Sequence, residues 1–133
     1  MIEAVHQPQH FYDPRSRKEL PLAYVRGKRV FCVSGIGDPA YFEEMVTEFG
    51  AVVAEHIVLP DHHNYTEHDR ASIEKRAASC AADCIITTDK DAVKFARMSF
   101  TFGTFQLLTL VIALEITAGK ELLVDRLHRL LRR

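Results

Sequence analysis

The 133-residue chain has the length of one ordinary domain. Its residues are 47% hydrophobic and 26% charged, which is the mixture of a soluble globular protein. A formal net charge of -1 gives no reason to expect nucleic acid as a partner.

Two features bear on the cellular setting. The first ten residues lack the apolar stretch of a signal peptide. The longest apolar run, Phe105 to Ile116, is shorter than the roughly 20 residues that span a bilayer. We therefore expect a soluble or peripheral protein.

The three cysteines, Cys32, Cys80 and Cys84, lie in or beside apolar segments, so we expect reduced thiols and no metal site.

Residues 1–27 lack the periodicity of a helix and are expected to form an N-terminal arm. Within this arm, residues 10–12 are a candidate short strand and residues 13–16 are typical of a turn, and the arm is a candidate edge strand of the sheet.

From residue 28 onward, apolar strands alternate with amphipathic helices. The helix after the first of these strands, for example, has apolar residues at i, i+3, i+4 and i+7. Strands are predicted at residues 29–34, 51–59, 84–88 and 107–116, and helices at residues 40–49, 66–82, 91–98 and 118–131. This order predicts an α/β fold, a three-layer αβα arrangement with a mainly parallel, Rossmann-like sheet of about four to five strands. We expect one domain, with a core over residues 28–133.

Polar segments follow three of the strands, at residues 35–39, 60–65 and 87–91. Ligands of such sheets bind outside the carboxyl ends of the strands. Asp61 beside His62 could orient an imidazole for acid–base work. The alternative for this pair is a polar turn with solvated histidines, but the convergence of the three segments favours a functional role.

The other two segments also have two interpretations. Gly35 and Gly37 precede a helix and could bind an anion through backbone amides, although a structural turn is the simpler interpretation. Thr88, Lys90 and Asp91 offer a hydroxyl, a cation and a carboxylate. The alternative is a helix cap with Lys90 in solvent. The sequence has no Gly-x-x-x-x-Gly-Lys-Ser/Thr phosphate loop.

Three motifs occur in one order, Gly27–Pro39, Pro60–Thr66 and Thr87–Lys94. Together they resemble the C-terminal domain of the tetraacyldisaccharide 4'-kinase family, the lipid A 4'-kinases, and the likeness extends to Ala113–Ile116. The chain departs from the family pattern at Asp89, where glutamate is usual, and in residues 110–113, where a proline is usual.

This resemblance implies an ATP- and Mg²⁺-dependent kinase for the 4'-hydroxyl of the lipid A disaccharide precursor, at the cytoplasmic face of the inner membrane. It places the phosphate loop, the catalytic carboxylate and the Mg²⁺-binding acids in an N-terminal domain or separate partner chain. This chain would close over the nucleotide and associate peripherally with the membrane. By resemblance Asp61 and His62 assist catalysis. The candidate cofactor-binding residues are Gly35, Gly37, Thr88, Lys90 and Asp91, and no metal ligand is assigned.

Two other functions stay open from the sequence. A phosphoesterase with an Asp-His-His triplet would use two metal ions, but residues 1–60 lack the further clustered acids that such an enzyme needs. A non-catalytic module derived from a nucleotide-binding domain would instead pack against a partner through an exposed apolar patch.

Overall fold

The computed structural model describes the backbone of residues 4–116 and the side chains of residues 7–113. Strands and helices alternate from residue 29 onward, as predicted. The elements are β1 (Ala4–Asp13), β2 (Lys18–Leu20), a 3-10 turn (Leu22–Val25), β3 (Arg29–Ser34), α1 (Pro39–Glu48), β4 (Val52–Val58), α2 (Glu67–Ser79), β5 (Cys84–Thr88), α3 (Asp89–Arg97) and β6 (Gln106–Ile116). The helix predicted over residues 118–131 lies outside the described residues.

The strands form one six-stranded sheet in the order β2-β1-β6-β5-β3-β4. β3 pairs in parallel with both β4 and β5, and β5 pairs in parallel with β6. β1 is antiparallel to its neighbours β2 and β6. The predicted mainly parallel sheet is confirmed. It has six strands, more than the four to five predicted, because the N-terminal arm contributes β1 and β2.

The central strands β3 and β5 are buried on both faces, over residues 30–34 and 84–88. Alternate residues of each strand belong to different layers. Cys32 shares its core cluster with the apolar residues of α1, whereas Phe31 shares its cluster with those of α2 and α3. The three-layer αβα arrangement is therefore confirmed. None of the helices described is long and apolar enough to cross a bilayer.

β1 is a ten-residue strand, although the sequence predicted a strand only at residues 10–12. Its residues Gln7 and Gln9 are exposed, so the segment lacks the pattern of a buried strand. It is held along β6, from Ala4 opposite Ile116 to Tyr12 opposite Thr109. Strand formation here is set by tertiary pairing more than by local propensity. β2, which also belongs to the N-terminal arm, lies at the edge of the sheet, as expected for a strand of this arm.

The chain reverses its direction across the sheet after β4. β4 lies on one side of β3, and β5 lies on the other. A single hand of crossover then requires α1 on one face and the following helices on the other, as observed. The loops that leave β3 and β5 diverge at this reversal, which is where such sheets bind ligands.

Candidate functional site

The buried carboxylate of Asp91 joins all three polar segments. Both of its oxygens accept the backbone N–H of Gly35, at 3.1 Å each. The hydroxyl of Tyr65 donates to Oδ1 at 2.9 Å, and that of Thr88 donates to Oδ2 at 2.5 Å. Since Asp91 is 0% exposed, all of these bonds are shielded from water. The predicted convergence of residues 35–39, 60–65 and 87–91 is confirmed.

Burial and the neighbouring Asp91 carboxylate both raise the pKa of Tyr65 above its ordinary value. The Tyr65 hydroxyl therefore stays protonated and remains a donor to Asp91. Its ring packs edge-on against Phe95 of α3, with 4.6 Å between centroids. Tyr65, near the end of the loop between β4 and α2, is thus fixed to α3 by both a polar and an aromatic contact.

Thr88 caps α3 in addition to bonding Asp91. Its Oγ1 accepts the backbone N–H of Asp91 at 3.2 Å, and Lys90 is exposed. This is the capping arrangement that the sequence left open as an alternative. The Thr88 hydroxyl and the Asp91 carboxylate are both engaged inside the protein, which gives them a structural role. Cofactor binding by Thr88, Lys90 and Asp91 stays a prediction.

The two glycines after β3 have different surroundings. A Cβ at Gly35 would lie 3.1 Å from Asp91 Oδ1 and 3.3 Å from the carbonyl oxygen of Pro60. A Cβ at Gly37 would meet only Asp61 Oδ2, at 3.7 Å, which is ordinary contact. Close packing therefore explains Gly35, and the proximity of Gly37 to Asp61 brings the first two polar segments together at the surface.

Asp61 and His62 occupy the tip of a turn in which the His63 N–H donates to the Pro60 carbonyl at 3.0 Å. His62 has φ 63°, a left-handed conformation that costs a non-glycine residue about 1 kcal/mol or more. Its side chain is 81% exposed. Nε2 of His62 lies 3.7 Å from Asp61 Oδ2, which is too long for a hydrogen bond. The structure thus presents this imidazole to solvent, close to a carboxylate.

His63, next in the chain, is fixed inside the protein. Its Nε2 lies 3.0 Å from Asp69 Oδ2, and its ring packs edge-on against Tyr65. Burial disfavours ionisation of Asp69, but hydrogen bonds from His63 and Thr66 outweigh it and hold the pKa of Asp69 below its ordinary value. Asp69 also forms a capping box with Thr66 at the start of α2, a pattern that the sequence shows, whereas the contact of Asp69 with His63 was not predicted.

A cleft of about 630 Å³ lies beside these loops, between the starts of α1 and α3. Its wall is largely apolar and its rim carries Asp38, Thr88, Asp89 and Lys90. The apolar residues of the wall are Ile36, Tyr41, Phe42, Met45, Leu110 and Ile112. Lys90 is therefore one of the residues that line a largely apolar cleft at the carboxyl edge of the sheet.

A second group of hydrogen-bonded side chains, Ser34, His56 and Glu43, was not predicted from the sequence. The ring of His56 lies 2.7 Å from Ser34 Oγ through Nε2 and 2.9 Å from Glu43 Oε1 through Nδ1. An ionised Glu43 can only accept, so we assign the proton to Nδ1, and a neutral ring then accepts the Ser34 hydroxyl at Nε2. Because Ser34 is fully buried, this group joins β3, β4 and α1 without presenting a nucleophile. Its only sequence signal was a histidine within an apolar strand.

The described residues do not form a metal centre by themselves. Among side chains 7–113, no three of histidine, cysteine, aspartate or glutamate are grouped as ligands. The three cysteines are free thiols, and burial raises the pKa of Cys84 to about 12. Cys32 and Cys84 are buried in the core cluster beneath α1, as core packing predicts.

The chain matches a known protein family. The family model for LpxK, tetraacyldisaccharide-1-P 4'-kinase, matches residues 1–132. The chain belongs to this family. The match covers nearly every residue, so the resemblance drawn from the three motifs is confirmed, and it extends to the N-terminal arm.

Relatives in this kinase family are considerably longer than the chain. The tetraacyldisaccharide 4'-kinase of Syntrophus aciditrophicus (strain SB) is 35% identical over 98 residues, which are 74% of this chain and 26% of the relative. That of Elusimicrobium minutum (strain Pei191) is 32% identical over 122 residues, which are 91% and 31%. The chain therefore spans between about a quarter and a third of the length of these relatives.

A solved structure has the same fold. It is LpxK from Aquifex aeolicus, described as an "apo" form in complex with ATP. The TM-score is 0.56 at 20% sequence identity, and the alignment covers 96% of this chain and 35% of that one. The likeness supports the α/β architecture of the chain.

Proposed function

We propose that this chain is the C-terminal part of a tetraacyldisaccharide 4'-kinase, which transfers the γ-phosphate of ATP to the 4'-hydroxyl of the lipid A disaccharide precursor. The observation that carries the proposal is the family match over residues 1–132, combined with three family motifs that meet at one edge of the sheet. The partner is an N-terminal phosphate-loop domain, in the same polypeptide or in a separate chain. The site of action is the cytoplasmic face of the inner membrane.

In this proposal Asp61 and His62 act from the outside of the domain. Both side chains project from a turn whose backbone is bonded, so the imidazole can reach across to a neighbouring domain without a change in this fold. A histidine presented in this way can tune a catalytic carboxylate of the partner when the two domains close. Phosphoryl transfer depends mainly on such positioning and on charge stabilisation.

In this proposal Mg²⁺ and the anionic ligand are bound by different domains. When bound, the metal ion neutralises the charge that develops on the phosphates. Side chains 7–113 offer no cluster of acidic ligands, so we assign Mg²⁺ to the phosphate-loop domain. Lys90 lines the cleft between α1 and α3, so we assign to it the contact with an anionic ligand at closure. Gly37 would contribute exposed backbone beside Asp61.

The test is a kinase assay with radiolabelled ATP, Mg²⁺ and the tetraacylated disaccharide. We expect no transfer by this chain alone, and transfer when the phosphate-loop domain of the same protein is added or fused. Turnover by the chain alone, well above a blank without protein, would show that the phosphate loop is not required. Failure of the combined domains to transfer phosphate would refute the proposed reaction.

A further inference from the structure

We infer that Lys94 is a positioning residue for the Asp61–His62 pair, an inference that rests on the proposed function. Lys94 lies on α3, and its ammonium donates to the backbone carbonyl of His63 at 2.7 Å. No carboxylate forms an ion pair with Lys94 among the side chains described. The contact therefore directs the charge of Lys94 at the backbone of the turn.

The bonded carbonyl belongs to the residue that closes the turn. Pro60 and His63 are its outer residues, joined by the His63 N–H, and Asp61 and His62 are its two central residues. A left-handed residue at the third position of such a turn is normally glycine, but here it is His62. The turn consequently tends to leave this backbone conformation. The hydrogen bond from Lys94 to the carbonyl of His63 opposes that change.

Lys94 connects this turn to the buried cluster beneath it. The helix that carries Lys94 has Thr88 as its N-cap and Asp91 in its first turn. Asp91 accepts hydrogen bonds from Gly35, Tyr65 and Thr88. An ammonium that donates to a carbonyl forms a charge-assisted hydrogen bond, which is stronger than a neutral one. Lys94 thus fixes the Asp61–His62 turn relative to the cluster that joins the strand ends.

Other contacts hold the same loop farther along the chain. The His63 ring binds Asp69, and the Tyr65 hydroxyl binds Asp91. These contacts remain when Lys94 is replaced, so we expect the fold to survive and the turn alone to gain mobility. This separation makes a positioning role distinguishable from a general structural role.

The first experiment uses the chain alone. In Lys94→Met we expect the His63 amide, which is bonded to Pro60, to exchange with deuterium about 10-fold faster or more at an almost unchanged thermal midpoint, since local opening is separate from global unfolding. Lys94→Arg keeps a donor and should restore protection. Lys75→Met, on the exposed surface of α2, is the matched control and should leave this amide unchanged. Equal protection of His63 in the parent and in Lys94→Met would overturn the inference.

The second experiment is a double-mutant cycle in the combined two-domain kinase. Lys94→Met should lower kcat about 10-fold or more with little change in the KM for ATP, because small misplacement of a catalytic group is costly. In the His62→Ala background it should have little further effect, whereas a merely structural role would cost the same in both backgrounds.

The two hypotheses fail in different ways. If His62→Ala lowers kcat but Lys94→Met lowers it equally with and without His62, the positioning role is wrong and the proposed function stands. If His62→Ala leaves kcat unchanged, the catalytic role of the Asp61–His62 pair itself is wrong.

Discussion

Both oxygens of the Asp91 carboxylate accept the backbone N–H of Gly35, each at 3.1 Å. The bond joins the first turn of α3 to the residue that follows β3, across the point where the chain reverses its direction in the sheet. A residue that the motif alone would assign to ligand binding thus serves first to hold the strand ends together. Asp91 is buried whereas Asp61 and His62 are exposed, so members of one motif set have different roles.

Asp91→Ala should destabilise the chain by about 3 kcal/mol or more, because it leaves the buried donors of Gly35, Tyr65 and Thr88 without their acceptor. The measurement is the free energy of unfolding in urea. Asp61→Ala is the matched control, since that carboxylate is exposed and should cost less than about 1 kcal/mol. Similar losses in the two variants would contradict the structural role of Asp91.

Gly35→Ala and Gly37→Ala should differ in their effect on stability, although only one residue separates the two positions. At Gly35 the added methyl group would press on Asp91 Oδ1 and the Pro60 carbonyl, so we expect a loss of about 1–3 kcal/mol. At Gly37 the nearest atom is 3.7 Å away, so the thermal midpoint should hardly change. Thermal unfolding of both proteins tests the pair, and a more harmful change at Gly37 would refute it.

His62→Ala should lower kcat in the combined two-domain kinase by about 10²-fold or more, the usual scale of acid–base assistance. It should change the free energy of unfolding by less than about 1 kcal/mol, because the side chain is exposed. His62→Gly should be more stable than His62→Ala, since glycine adopts a positive φ without strain.

His63→Ala is the comparison for that experiment. It removes the hydrogen bond to Asp69 and the ring contact with Tyr65, so we expect a greater loss of stability than at His62 and a smaller effect on kcat. Equal losses of kcat at the two histidines would mean that the turn acts only as structure. So would a collapse of the thermal midpoint in His62→Ala with kcat retained.

We expect the contribution of Asp69 to the free energy of unfolding to decrease at low pH. Its pKa in the folded chain lies below the ordinary value of about 3.9, so its ionised form stabilises the fold above that pH and loses this effect as the pH falls through the folded pKa. The difference in unfolding free energy between the parent and Asp69→Asn should therefore shrink as the pH is lowered below about 4. Asp61→Asn is the control. A difference that is constant with pH would contradict the lowered pKa.

Much of the fold could be predicted because the central strands have strong local patterns. Residues 29–34 and 84–88 are short apolar runs that end in polar turns, and both strands have the predicted bounds. The start of α2 was predictable because Thr66 and Asp69 form a capping box. β1 could not be predicted in full, because its exposed glutamines break the pattern of a buried strand and its first residues are held by pairing with β6.

The candidate site was predictable in position but only partly in detail. Parallel strands place residues 35–39, 60–65 and 87–91 at one edge whatever their side chains are. Which of two adjacent histidines is solvated depends on Asp69, a contact that sequence spacing alone does not distinguish. The group formed by Ser34, His56 and Glu43 likewise depends on the pairing of β3 with β4.

The pairing of β1 with β6 has a consequence for the order of folding. Ala4 lies opposite Ile116, so β1 can pair along most of its length only after β6, the last strand described, has been synthesised. During synthesis β3, β4 and β5 can pair with one another before β6 is available to β1. Contacts between residues far apart in the sequence, such as those of β1 with β6, also form slowly. A nascent chain that stops before residue 106 could pair β1 only with the short β2 among the strands described, and β6 would then join both strands to the parallel part of the sheet.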